Sequence, residues 1–202
     1  MSFLLATAAA LALPSANEKT AQHLARRLDF DSEEQTGAAR VTLWIDDRGK
    51  VLDCQLVQFA GEEDFAKRMC EDVVGARFSA AKASEGIDVH SMFTTVLGGS
   101  GNGHRSGTMM NWLSGRSAAA DAVIQVSQMP PNLAWRKQIE VVALIGSDGV
   151  VSQCESVGYA MADWTRIACE QLKLTNFEMR HSRKGEAIPY VRNLIVKFEA
   201  AE

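Results

Sequence analysis

The chemistry that this sequence offers most clearly is that of its four cysteines. Cys54 and Cys154 each lie in an apolar, strand-like run, and Cys70 and Cys169 each lie in the helical segment that follows. A helix packed on its own sheet brings such positions together, so the spacing predicts the disulfides Cys54–Cys70 and Cys154–Cys169. Closing a loop of this length stabilises a folded state by about 3 kcal/mol.

Two alternatives to disulfides exist. A zinc site is disfavoured because the sequence has no CxxC pair, and because its histidines show no ligand spacing. These histidines are His23, His90, His104 and His181. Free buried thiols in a cytosolic protein are the other alternative. We predict disulfides, no metal site and no cofactor.

The other polar residues form no recognisable catalytic constellation. His90 and Ser91 are adjacent but lack a third member, the pair Asp46-Asp47 suits a β-turn, and the acidic cluster at 62–64 suits a helix N-terminus. The sequence contains no Gly-rich phosphate loop and no nucleophile elbow. We therefore predict that the protein is not an enzyme and has no catalytic residues.

The cysteines belong to an internal repeat. Residues 40–54 align with residues 140–154, and residues 65–86 align with residues 164–185 after a one-residue deletion. The matched pairs are Gly49 and Gly149, Val51 and Val151, Cys54 and Cys154, Phe65 and Trp164, Cys70 and Cys169, Phe78 and Phe177, and Gly86 and Gly185. Chance rarely keeps so many cysteines, aromatics and glycines in register, so we infer a duplication.

Each copy repeats the same order of predicted elements. Two β-branched-rich runs joined by an Asp/Gly turn predict a β-hairpin. The next segment has an apolar helical stripe, which includes Phe65, Met69 and Val73 in the first copy. Closing strands follow at 89–97 and 188–198. The predicted fold class is α+β: two tandem β-β-α-β modules, each an antiparallel sheet with a helix on one face.

The N-terminus and the centre of the chain set the predicted domain boundaries. Residues 3–13 form an apolar run that fits the h-region of a secretory signal, with cleavage after Ala12 or Ala16, although no basic residue precedes it. A buried N-terminal helix is the alternative. We predict a signal peptide at 1–16, a first module at 17–97, a Gly-rich linker at 98–110 and a second module at 111–202.

Composition argues against nucleic-acid binding and against a transmembrane anchor. The formal net charge is −4 and no basic stripe occurs, so we predict no nucleic-acid binding. No apolar run reaches the roughly 18 to 20 residues that a spanning helix needs, so we predict no transmembrane anchor.

The assembled pattern resembles the C-terminal domain of TonB proteins, the periplasmic energy transducers of Gram-negative bacteria. The resemblance rests on the hairpin turn, the helix, the stretch Arg77-Phe78-Ser79-Ala80-Ala81, the following Gly86 and the closing strand. Ala80 stands where the family has proline, and the family's membrane helix and proline-rich spacer are not found. The likeness covers residues 40–97 well and residues 139–198 more weakly.

The resemblance implies a non-enzymatic periplasmic protein that binds protein or peptide segments by strand addition. TonB-dependent outer-membrane receptors are the implied source of such segments, and a structural or self-associating envelope module is the alternative. In the family, the added strand lies beside the closing strand. The corresponding edge residues here are Met92, Phe93, Thr94, Thr95 and Val96 in the first copy and Asn193, Leu194, Ile195, Val196 and Lys197 in the second.

Overall fold

A computed structural model describes residues 11–16, 20, 36–100, 110, 113, 119–129, 137–157, 162–182 and 184–201. These residues form an α+β fold of mixed sheets with two α-helices. The strands are β1 (Thr36–Ile45), β2 (Val51–Gly61), β3 (Ala81–Lys82), β4 (Asp88–Ser100), β5 (Ala122–Val126), β6 (Gln138–Ile145), β7 (Val151–Ser156), β8 (Arg180–His181), β9 (Ala187–Ile188) and β10 (Tyr190–Ala200). The helices are α1 (Glu63–Val73) and α2 (Ala162–Leu172).

The two predicted hairpins form with the same register. Ile45 pairs with Val51 and Ile145 pairs with Val151, and each ladder shifts by one residue just before that pair. Gly49 and Gly149 have φ values of 79° and 80°, which favour glycine. A Cβ atom there would lie 2.1 Å from the carbonyl oxygen of Phe78 and 2.5 Å from that of Phe177. The matched glycines are therefore required by the turn and by the close approach of the next segment.

Each helix packs on its own hairpin and is joined to it by a disulfide. The buried residues of α1 are the predicted stripe, Phe65, Ala66, Met69, Cys70 and Val73. Cys54 is bonded to Cys70 and Cys154 to Cys169, with Cα–Cα distances of 5.5 and 5.6 Å. Both predicted disulfides are confirmed.

Strands from both halves of the chain lie in one eight-stranded sheet. Its order is β2-β1-β4-β10-β6-β7, with β3 paired to β4 and β5 paired to β10. The halves meet where β4 and β10 run parallel, at the pairs His90–Tyr190, Ser91–Val191 and Met92–Arg192. The prediction of two modules, each with a sheet of its own, is therefore not confirmed.

The two helices lie on opposite faces of this sheet. Leu43 packs in the cluster that contains Met69 of α1, whereas its neighbour Trp44 packs against the cluster that contains Leu172 of α2. Successive residues of a strand point to opposite faces, so each helix covers one face of its own half and leaves the other face open.

Short segments cover the face of the second half that α2 leaves open. Leu11, Ala81, Val142 and Val191 form a buried cluster there. Residues 11–16 thus pack within the fold, and Ala12 forms an isolated β-bridge with Lys82 rather than part of a helix. Residues 1–10 of the predicted signal peptide and 101–109 of the predicted linker lie outside the described residues, and residues 98–100 belong to β4. Within the described part of the chain, neither helix is long and apolar enough to cross a membrane.

Candidate functional site

The predicted binding edge in the second half lies inside the sheet. Residues 193–197 of β10 pair with β6 on one side. On the other side Val196 and Lys197 pair with β5, and the backbone of Ile195 bonds to both the backbone and the carboxylate of Asp121. The prediction of an unpaired edge at Asn193, Leu194, Ile195, Val196 and Lys197 is therefore wrong.

The predicted edge in the first half is also largely occupied. Met92 pairs with Arg192, and the Asn193 side chain replaces a strand partner for Thr94. Its Oδ1 accepts the Thr94 N–H at 2.8 Å, and its Nδ2 donates to the Thr94 carbonyl at 2.9 Å. The closing strands meet each other across the two halves, so residues 92–96 are not the free edge that an isolated module would offer.

A different pair of edges is presented by β3 and β8, which occupy matched positions in the two halves. Ala81 pairs with Val89 as Arg180 pairs with Ile188. The turns that follow match as well, since Ala83 N–H donates to Ile87 O at 2.9 Å and Ser182 N–H donates to Glu186 O at 2.8 Å. The alternation of an antiparallel ladder then points the backbone groups of Lys82 and His181 away from their hairpins.

The outward edge of β3 already pairs with an extended segment, residues 11–15. Ala12 N–H donates to Lys82 O at 3.0 Å, and Lys82 N–H donates to Ala12 O at 2.9 Å. Further along, Ser79 N–H donates to Ser15 O at 2.9 Å, and the Ser79 hydroxyl accepts the Ser15 N–H at 2.8 Å. The groove beneath this edge, lined by Ala81, Val142, Leu144, Val157 and Val191, is called the β3 groove below.

The outward edge of β8 has no such segment among the described residues. Neither the N–H nor the carbonyl of His181 has a hydrogen-bond partner in that part of the chain. Beside this edge lies a cavity of about 400 Å³, called the Trp44 groove below. It is lined by Trp44, Asp46, Asp47, Arg48, Lys50, Leu52, His90, His181 and Ser182.

Trp44 is held in place by rings and charges from both halves. It stacks on His90 with ring centroids 5.5 Å apart and contacts Tyr190 edge-on at 5.7 Å. The Arg180 guanidinium lies 5.8 Å from the indole centroid, a cation–π contact. Burial raises the pKa of Tyr190, whose hydroxyl donates to the Glu178 carbonyl at 2.9 Å. The aromatic floor is thus fixed before any ligand arrives.

The rim of the Trp44 groove carries mixed charge. The Asp46 carboxylate accepts hydrogen bonds from the backbone N–H groups of Arg48 and Lys50 at 2.9 and 2.8 Å, so it stabilises the turn between β1 and β2. Asp47, Arg48 and Lys50 are exposed around the opening. Such a rim can pair with either sign of charge on a bound segment, whereas the floor accepts an apolar or aromatic side chain.

The groups weighed as catalytic candidates are only partly brought together. Asp46, Asp47 and His90 line one cavity, but Ser91 points to the opposite face, where it is fully buried and its hydroxyl has no partner among the described residues. Glu63 and Asp64 lie in the first turn of α1, as a helix N-terminus favours. In the described ranges no three potential metal ligands form a cluster. The structure therefore brings Asp46, Asp47 and His90 together and leaves Ser91 apart from them.

Sequence reasoning missed both outward edges because β3 and β8 have only two residues each and show no periodicity. The available signal was the repeat itself, since the alignment of Gly86 with Gly185 continues through both turns.

Comparison with protein-family models finds no match, and neither the curated proteins nor the solved structures compared with this chain match it.

Proposed function

We propose that the protein binds an extended segment of another polypeptide in the Trp44 groove, as an added strand on β8. The observation that carries the proposal is the β3 edge, where residues 11–15 already lie in this way. Matched residues, matched turns and matched hydrogen bonds make β8 its counterpart, with His181 in the place of Lys82. Strand addition is a general mode of peptide recognition, in which backbone bonds supply affinity and side-chain pockets supply specificity.

The exposure of one valine supports an open groove. Val157 packs against the buried cluster that contains Leu11, whereas Val57, its counterpart, is 48% exposed. Likewise Trp44 stands where Leu144 forms part of the covered apolar surface. Val57 lies outside the residues that line the Trp44 groove, so a bound segment would bury both side chains if it faced Trp44 with an apolar or aromatic residue and extended along the sheet to Val57.

The proposal retains the wider function that the family resemblance implies. We propose a non-enzymatic periplasmic protein built from two duplicated TonB-like modules, with the N-terminal segments of TonB-dependent receptors as candidate ligands. The two disulfides support an oxidising compartment. The binding edge differs from the family's, because the closing strands here pair with each other.

A peptide selection tests this function. Random seven-residue peptides are selected on the disulfide-intact full chain, and the affinity of each selected peptide is measured for wild type, His181→Pro and the matched control His181→Ala. Proline removes the outward N–H without breaking the hairpin, because an edge residue tolerates it. We expect His181→Pro and Trp44→Ala each to weaken binding at least about 10-fold, the effect of losing roughly 1.4 kcal/mol, and His181→Ala to weaken it less. Failure to select any peptide, or equal binding by His181→Pro and wild type, would overturn the proposal.

Self-association is a second candidate function, favoured by the outermost strand. β2 has eleven residues, no strand pairs with its outer edge in the described part of the chain, and Phe59 on it is 38% exposed. Long apolar edges of this kind invite pairing with another chain. Sedimentation of wild type and Phe59→Lys tests it: a dimer that Phe59→Lys dissociates would favour this function, and a wild-type monomer at all concentrations would exclude it.

A further inference from the structure

We infer that the β3 groove is a second strand-binding site, whose resident ligand is the chain's own residues 11–15 and whose exchangeable ligand is an uncharged aliphatic segment. The inference concerns other residues on the opposite face of the sheet from the Trp44 groove. Both proposals use the contact of residues 11–15 with β3, but the inference has a test of its own, whose failure is distinguishable from failure of the function proposed above.

The resident segment binds through its backbone as a ligand strand would. Ala12 exchanges both of its backbone bonds with Lys82, and Ser15 bonds to Ser79 through both backbone and side chain. Leu11 N–H also donates to a Glu155 carboxylate oxygen at 3.3 Å. No other strand covers the edge of β3 in the described ranges, so these groups depend on whatever segment lies there.

The side chains define the class of ligand. Leu11 is buried among Ala81, Val142 and Val191, and Leu13 packs against the same cluster, so two aliphatic side chains at alternate positions point inward. By the repeat, the turn Gly146-Ser147-Asp148-Gly149 with Val150 after it corresponds to the Asp46-Asp47-Arg48-Gly49 turn and Lys50 that line the Trp44 groove, and it carries one charged residue in place of four. An uncharged segment with aliphatic residues at positions i and i+2 fits this groove.

The contact is short enough to exchange. One isolated bridge and a few flanking bonds hold the segment, in contrast to the ten pairs between β1 and β4. Segments held by few buried contacts open locally, at a lower free energy than global unfolding. Cleavage after Ala16, which the N-terminal sequence predicts, would remove the segment and leave Lys82 unpaired above an apolar floor.

The test uses the full chain and a peptide that copies residues 10–16. In Leu11→Asp/Leu13→Asp the resident segment loses its aliphatic anchors, and the peptide is titrated into this variant and into wild type while the amide resonances are followed. A tethered competitor has an effective concentration in the mM range, so we expect the variant to bind at least about 10-fold more tightly than wild type. The Lys82 amide resonance should shift when the peptide binds. The substitution His181→Pro should leave the affinity for this peptide unchanged.

Controls keep the inference falsifiable. A peptide with both leucines replaced by serine should not bind. Equal affinity for variant and wild type, or no binding to either, would overturn the inference. If the variant fails to fold, hydrogen exchange of the wild type decides: the Lys82 amide should exchange at least about 10-fold faster than that of Val142, by local opening. Equal rates would show that the segment never leaves the folded protein, and would overturn the inference.

Discussion

The β3 groove and the Trp44 groove occupy matched places in the two halves of the chain, yet among the described residues one is filled and the other is open. The filled groove has an aliphatic floor and is occupied by the chain's own residues 11–15. The open groove has an aromatic floor, a charged rim and an outward backbone edge at His181. The difference teaches that two matched edges can keep the same backbone geometry while the side chains around them diverge.

The first prediction concerns the disulfides, one of which is present in each half of the chain. Replacing Cys54 and Cys70 together by serine, or Cys154 and Cys169 together by serine, should lower the free energy of unfolding by about 3 kcal/mol in each case, because the two loops have nearly equal length. Denaturant unfolding of the two double variants measures this. A large loss in one half and none in the other would contradict the equivalence of the two scaffolds.

The second prediction concerns the junction between the halves. Asn193 is 5% exposed and bonds to both backbone groups of Thr94 and to the Glu140 carboxylate. Asn193→Ala should lower the free energy of unfolding by about 1–3 kcal/mol, because these buried groups lose their partner. Gln125→Ala, at an exposed amide, is the matched control and should cost less than about 0.5 kcal/mol. Equal losses of unfolding free energy in the two variants would show that Asn193 does not stabilise the junction at which β4 and β10 diverge.

The third prediction compares Val157, which is covered by neighbouring residues, with Val57, which is exposed to solvent. Val157→Ala removes methyl groups from a packed cluster and should cost about 1 kcal/mol, whereas Val57→Ala, at a half-exposed site, should cost less than about 0.5 kcal/mol. Adding a peptide selected for the Trp44 groove should raise the cost of Val57→Ala. If Val157→Ala and Val57→Ala lowered the free energy of unfolding equally in the absence of peptide, both grooves would be covered.

The smallest expected effect is on alkaline stability. Burial raises the pKa of Tyr190 above its ordinary value of 10.0, so the folded state holds this proton more tightly than the unfolded chain. The resulting stability is fully present below pH 10 and is lost as pH rises through the folded-state pKa. Tyr190→Phe should therefore show a shallower decline in unfolding free energy above pH 10 than wild type does. The same slope in both proteins would contradict the burial of this hydroxyl.

Local features of the fold were predictable from the sequence, whereas contacts between distant segments were not. The disulfides, both hairpins and the buried stripe of α1 follow from periodicity and spacing within one copy. The pairing of β4 with β10 depends on two edges meeting across the molecule, which no local pattern encodes. The apolar run at the N-terminus favours a secretory signal on composition alone, so its contact with Lys82 could not be read from the sequence.

Hydrogen exchange at two matched amides tests the central claim most directly. The Lys82 amide is bonded to Ala12 and should be protected, whereas the His181 amide should exchange almost as fast as an unstructured amide. On addition of a peptide selected for the Trp44 groove, His181 should become protected and Lys82 should not change. Protection of His181 in the free protein, or no gain of protection with the peptide, would contradict the account.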